Sequence, residues 1–186
     1  MNTAQKLSDL QILEQRIEKL EKKPEQEKQD RLSLFCFSGE WDRIFSAFVI
    51  GTGAAAAGTE VHMFFTFWAT AALRKKAEEK MSKSFFEKMF GFMLPRGASK
   101  IRLSKFHFGG LGLGIMNKMM KDKGISSLEE LMDVAGELDI KISVCEMSMD
   151  IIGFKRGEIF NYPNLQYCGV QNFLEEASSS KLTLYI

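Results

Sequence analysis

The chain has little cysteine, no excess of either charge and no long apolar run, and each shortage removes a class of protein. Three cysteines in 186 residues (Cys36, Cys145, Cys168) are too few and too scattered for a disulfide framework, and the odd count leaves at least one thiol unpaired within the chain. No CxxC pair or cysteine–histidine cluster occurs, so no metal site is expected, and no cofactor is read from the residues. Lys+Arg 25 against Asp+Glu 24 leaves a formal charge of +1, which gives no argument for a nucleic-acid partner. The best candidate for a membrane span, residues 44–59 (IFSAFVIGTGAAAAGT), is shorter than the roughly 20 residues a span needs, and more than half of it is Gly, Ala and Thr. Membrane association is therefore not expected, with a membrane-associated hairpin as the lesser alternative. The N-terminus is highly charged and lacks the apolar core of a signal peptide, which with the free thiols points to a reducing cytoplasm.

What remains is the composition of a soluble globular domain with an appendage: 45% hydrophobic and 26% charged residues. Residues 1–30 read as a charged N-terminal helix and linker, and residues 31–186 as one α/β domain. In the helix, Leu10, Leu13, Ile17 and Leu20 form a short heptad-like seam, which Pro24 ends. A frayed tail and a helix that packs on a neighbouring subunit explain this segment equally well.

Strands and helices then alternate. RLSLFCF (31–37), EVHMFFT (60–66), DIKISVC (139–145) and KLTLYI (181–186) read as strands, and NLQYC (164–168) as a short strand or turn. Helices are expected over 40–57, with Ser38 as N-cap and Gly58 as stop, and through FWATAALRKKAEEKM (67–81). Others are expected at 84–92, 115–124 and 126–138, the last with Ser127 and Glu130 as a capping box. A helical turn over 148–154 and a helix ending near 179 complete the set. The pattern implies a mainly parallel sheet covered on both faces, a three-layer α/β/α domain. In such folds the reactive edge lies beyond the C-terminal ends of the strands. Ser38-Gly39-Glu40, Thr66-Phe67-Trp68 and Cys145-Glu146-Met147 are expected to meet there.

Gly51-x-Gly53-x-x-Ala56 imitates a dinucleotide-binding pattern. That pattern works only between a strand and the helix that receives the pyrophosphate. Here the next strand begins within a few residues of Ala56, so these small residues are expected to end a helix packed closely on the sheet. GGLGLG (109–114) has the wrong spacing and reads as a flexible loop or a close backbone approach.

Three blocks, FSGEWDRIFSAFVIGTGAAAAGTEVHMFFTFWA, FGFMLPRGASKIRLSKFHFGGLG and CEMSMDIIGF, together resemble the DsrE/DsrF/DsrH-like superfamily, and within it a DsrE-like branch with a C-x-M-S-M-D signature. The resemblance runs from about Leu32 to Ala177. It implies a flavodoxin-like fold, homo-oligomers and intracellular sulfur trafficking, with sulfane sulfur carried as a persulfide. The residue it implicates is Cys145. The partners it implies are rhodanese-type sulfurtransferases and small TusA-type sulfur carriers.

Read from its own surroundings, Cys145 is open to two interpretations. A free cysteine ending a core strand is commonly a small apolar residue. At a strand-to-helix junction it also gains from the backbone N–H groups, while Glu146 raises the thiol pKa. Arg96, Lys100, Arg102, Lys105 and His107 offset that carboxylate only if their segment folds over the site. Ser38, Gly39, Thr66, Trp68, Met147, Ser148 and His107 are the pocket candidates. Cys36 reads as core, and a Cys145–Cys168 redox pair has no support from spacing. Met147 and Met149 read as core filler that also suits a persulfide pocket. Trp41 and Trp68 read as packing anchors, and His62 as a satisfied core histidine. The competing functions are a non-catalytic oligomeric binding module and a nucleotide- or flavin-dependent oxidoreductase.

Overall fold

Runs rich in Val, Ile, Leu and Phe cannot leave either face of a sheet in water, and here they pair side by side. In the computed structural model the described residues are 29–75, 94–105 and 111–186, with Glu14 and Arg16. Five strands form one sheet: β1 (Gln29–Cys36), β2 (Glu60–Phe65), β3 (Lys141–Cys145), β4 (Leu165–Cys168) and β5 (Ser180–Tyr185). Their order is β4-β3-β2-β1-β5, and every neighbouring pair is parallel. β1 starts at Gln29, two residues before the expected boundary. The helices are α1 (Trp41–Ala56), α2 (Leu111–Asp122), α3 (Leu128–Glu137), α4 (Glu146–Ile152) and α5 (Val170–Ser179).

Strand alternation divides the interior in two. Leu34 and Cys36 of β1, Met63 and Phe65 of β2, and Ile142 and Val144 of β3 enter the larger core with side chains of α1 and α3. Phe64 and Cys145 face the other way and pack with Phe173 of α5; Phe35, Cys168 and Ala177 border them. The chain steps in one direction from β1 to β4 and then crosses back to β5. Right-handed connections put the return helix on the opposite face, which is why α5 stands alone there among the described residues. The domain is thus the expected flavodoxin-like α/β/α arrangement around a parallel sheet.

Several local expectations hold. Ser127 Oγ accepts from Glu130 N at 3.2 Å, and Ser127 N donates to Glu130 Oε2 at 2.7 Å, a complete capping box for α3. Gly51 and Gly53 lie inside α1. A Cβ on Gly51 would stand 3.4 Å from the Met63 sulfur and 3.5 Å from Leu34 Cδ1, so the small residue serves helix-on-sheet packing. The pattern sits within α1 and not in the turn from a strand into a helix N-terminus, so it lacks the setting a dinucleotide site needs.

Other expectations are corrected. The residue capping α1 is Glu40, and Ser38 instead donates its hydroxyl proton to Glu40 Oε2 at 2.6 Å. Residues Phe67–Leu73 form a 3-10 segment, tighter than the expected α-helix, and its continuation to 81 lies outside the described residues. α2 begins at Leu111, so the last four residues of GGLGLG are helix, where Leu113 finds a core contact. The helices expected at 1–23 and 84–92, apart from helical Glu14 and Arg16, also lie outside the described residues.

Candidate functional site

All five strands point the same way, so their C-terminal ends share one edge. The three expected segments meet there through two contacts. Gly39 abuts the backbone after β2: a Cβ on it would lie 2.7 Å from the Trp68 carbonyl oxygen, so no side chain fits without moving that turn. Thr66 Oγ1 and Ser148 Oγ, both buried, are hydrogen-bonded at 2.6 Å, which ties the end of β2 to the first turn of α4. Phe67 between them has φ 45, a left-handed conformation that a bulky side chain rarely adopts, and such strain gathers at functional edges.

Cys145 is the last residue of β3 and the N-cap of α4, with no side-chain capping bond. Its side chain is 2% exposed and lies in the smaller core with Phe64 and Phe173. Phe35, Phe64 and Phe173 form a ring cluster with centroids 5.0 to 5.5 Å apart. In the strand register Cys145 pairs directly with Cys168 of β4. Burial pushes the Cys168 thiol above its ordinary pKa, with Cys145, Glu146 and Glu176 adding to the rise and a hydrogen bond with Ser143 opposing it.

A polar layer lies behind the two thiols on the same face. Ser143 Oγ meets His62 Nε2 at 2.6 Å and accepts from Gln166 Nε2 at 2.6 Å. Burial holds His62 down at about 4, so its ring is neutral near pH 7. Its Nδ1 has no hydrogen-bond partner among the described residues, which corrects the expectation of a satisfied core histidine. Further along, Glu176 of α5 accepts from Arg31 at 2.5 Å and from Lys141 at 3.1 Å.

The remaining candidates separate. Glu146 is ion-paired with Arg156, whose guanidinium lies 4.7 Å over the Tyr167 ring, so the carboxylate beside Cys145 has its own cation. The basic segment 94–105 is docked elsewhere. Arg102 O accepts from Trp41 N at 2.7 Å, Asp42 takes two bonds from Ser104, and Ile101 and Leu103 enter the larger core, away from the Cys145 side chain. His107 lies outside the described residues. Cys36 points into the larger core, where burial raises its pKa to about 12. Trp41 is buried and stacks on Phe45, whereas Trp68 is half exposed and not a packing anchor. Met149 is core, but Met147 is exposed.

Sequence reading missed Ser143 and Arg156, and it named a Cys145–Cys168 pair but found no support for it in the spacing. For Cys168 a signal was present: KISVC and LQYC both end on cysteine, and two parallel neighbours ending alike bring those side chains together. It also missed the rim around the thiols. Each strand is followed, or in β5 ended, by an exposed large apolar side chain: Phe37, Trp68, Met147, Val170 and Tyr185.

Residues 28–185 match the model of a family described as DsrE/DsrF/DrsH-like. An uncharacterized protein of Bacillus subtilis (strain 168), YrkE, is 38% identical over 160 residues, which cover 86% of this chain and 99% of that protein. The sulfur carrier protein DsrE2 of Allochromatium vinosum is 29% identical over 163 residues, covering 86% of this chain and 99% of its own. Among solved structures, the ychN protein from E. coli aligns with a TM-score of 0.48 at 6% identity, over 84% of this chain and 98% of that one.

Proposed function

This chain belongs to the DsrE/DsrF/DrsH-like family, and from that premise we propose that it carries sulfane sulfur as a persulfide on Cys145. A relative 29% identical along nearly its whole length is a sulfur carrier, which supports a sulfur-related role. The observation that carries the finer reading is the position of Cys145. It closes a strand at the reactive edge of a parallel sheet, between buried aromatic rings and a second thiol.

Loading is an exchange. The Cys145 thiolate attacks the outer sulfur of a donor persulfide, the donor thiolate leaves, and Cys145 gains one sulfur. Unloading repeats the step with an acceptor thiolate. Phe64 and Phe173 keep water from the loaded sulfur, and α5 must open for donor and acceptor to reach it. The apolar rim suits a protein donor better than a small anion, in keeping with rhodanese-type and TusA-type partners and with assembly of the chain as a homo-oligomer.

The test is intact mass after treatment with a sulfane donor. Early in the treatment wild type carries one added sulfur, removable by a thiol reductant, and Cys145→Ser never gains it. An unmodified wild type under an active donor sinks the reading. The same rim favours a second reading, an assembly module without covalent chemistry, which expects the same unmodified mass and a Cys145 inert to alkylation.

A further inference from the structure

The two cysteines of the smaller core are neighbours by register, not only by proximity. Cys145 and Cys168 are paired residues of adjacent parallel strands, as are Ser143 and Gln166 one pleat earlier. Paired residues project to the same face, and the 2.6 Å bond from Gln166 Nε2 to Ser143 Oγ fixes that face for the whole pair of strands. Parallel neighbours lie about 4.8 Å apart, inside the roughly 4.4 to 6.8 Å Cα separation that a disulfide spans. The layer beneath the pair is fixed: Ser143 Oγ meets the neutral His62 ring at 2.6 Å and accepts from Gln166 Nε2 at 2.6 Å. The two thiols differ in access, Cys145 being sealed and Cys168 partly exposed.

We propose that Cys168 is the resolving thiol of this site: it attacks the Cys145 sulfur of the persulfide, forms a Cys145–Cys168 disulfide and expels the outer sulfur as hydrosulfide. The inference rests on the persulfide reading above and adds the fate of the sulfur. Register sets Cys168 beside the Cys145 Sγ, with the outer sulfur one bond further away, so the inner sulfur is the nearer electrophile. One S–S bond forms and one breaks. The outer sulfur takes the electron pair of the broken bond and is reduced to sulfide, and Cys168 is oxidised to the disulfide level. The raised pKa leaves Cys168 protonated at rest, and that proton departs with the sulfur as HS⁻. A dithiol reductant, supplying two electrons and two protons, returns the pair to thiols.

The experiment uses the full chain without oxygen. Wild type, Cys168→Ala and Cys145→Ser are treated with inorganic polysulfide, freed of excess, and followed by intact mass, peptide mapping and sulfide release. Wild type is expected to pass through a form one sulfur heavier and to end two hydrogens lighter than the dithiol. Its end state carries a mapped Cys145–Cys168 link and has released one equivalent of sulfide. Cys168→Ala is expected to keep the added sulfur on Cys145 at least about tenfold longer. A wild type that holds its added sulfur as long as Cys168→Ala overturns this inference and leaves the carrier reading standing. A Cys168→Ala and a wild type that both stay at their unmodified masses overturn both. Cys168→Ser repeats the comparison with a polar side chain retained on β4.

Discussion

His62 shows how one buried side chain carries a measurable property of the domain. Its ring is held near 4 by burial against an ordinary value of about 6.5, with Glu176 pulling it up and Lys141 and Arg31 pushing it down. The unfolded chain therefore takes up a proton between pH 6.5 and 4 that the folded chain refuses. Stability is full above that window and falls as pH drops through it, by up to about 3 kcal/mol from this group. His62→Gln keeps an amide to meet Ser143 and has no proton to gain. Urea unfolding at pH 7 and pH 4.5 is expected to show a smaller loss for the variant than for wild type. Equal losses would show that His62 does not stay neutral in the fold. At this scale the sequence was legible wherever alternation decides burial, as for His62 and Cys36. It was not legible where contact depends on a partner strand, as for Cys168, or on an ion pair ten residues away, as for Glu146 with Arg156.

The element that controls the site is α5. Its C-terminal half is tied down by Glu176 to Arg31 and Lys141, while its N-terminal half rests on one buried side chain, Phe173. Val170 and Leu174 of the same half are exposed. A half-helix held by one ring opens at less cost than the sheet beneath it unfolds. Truncating a buried Phe costs about 3 to 5 kcal/mol, and at this place much of that falls on the cover itself. Phe173→Ala is therefore expected to speed alkylation of Cys145 by about tenfold or more, since each 1.4 kcal/mol of easier opening is a factor of ten. The rate is read by quenched iodoacetamide labelling and peptide mapping, with urea unfolding as the check that the sheet is intact. An unchanged rate in a folded variant would mean that reagents reach Cys145 by another route. Elements with strong local signals were legible: the α3 capping box, the Gly58 stop and the alternating strands. Phe67–Leu73 was not, because its sequence is apolar enough for an α-helix, and the tight approach of Gly39 to Trp68 is a tertiary fact.

At the scale of the molecule, alternation of strands and helices was enough to anticipate a parallel sheet, but not the return of β5 to the far side of β1. That return leaves one face to a single ten-residue helix among the described residues, and it brings five strand ends into one rim. Phe37, Trp68, Met147, Val170 and Tyr185 are each 40% exposed or more, although the larger core takes up most other large apolar side chains. A formal charge of +1 provides almost no repulsion between copies. Apolar side chains gathered at one edge of a near-neutral chain favour self-association through that edge. Wild type is therefore expected to sediment as a homo-oligomer. Trp68→Glu together with Tyr185→Glu, at side chains 50% and 64% exposed, is expected to shift it to monomer while the chain still unfolds cooperatively. If the oligomer survives both charges, the interface lies elsewhere and the rim remains open to a partner of another kind. A monomeric wild type would remove the homo-oligomer from the proposed function and leave the chemistry of Cys145 to be decided by its mass.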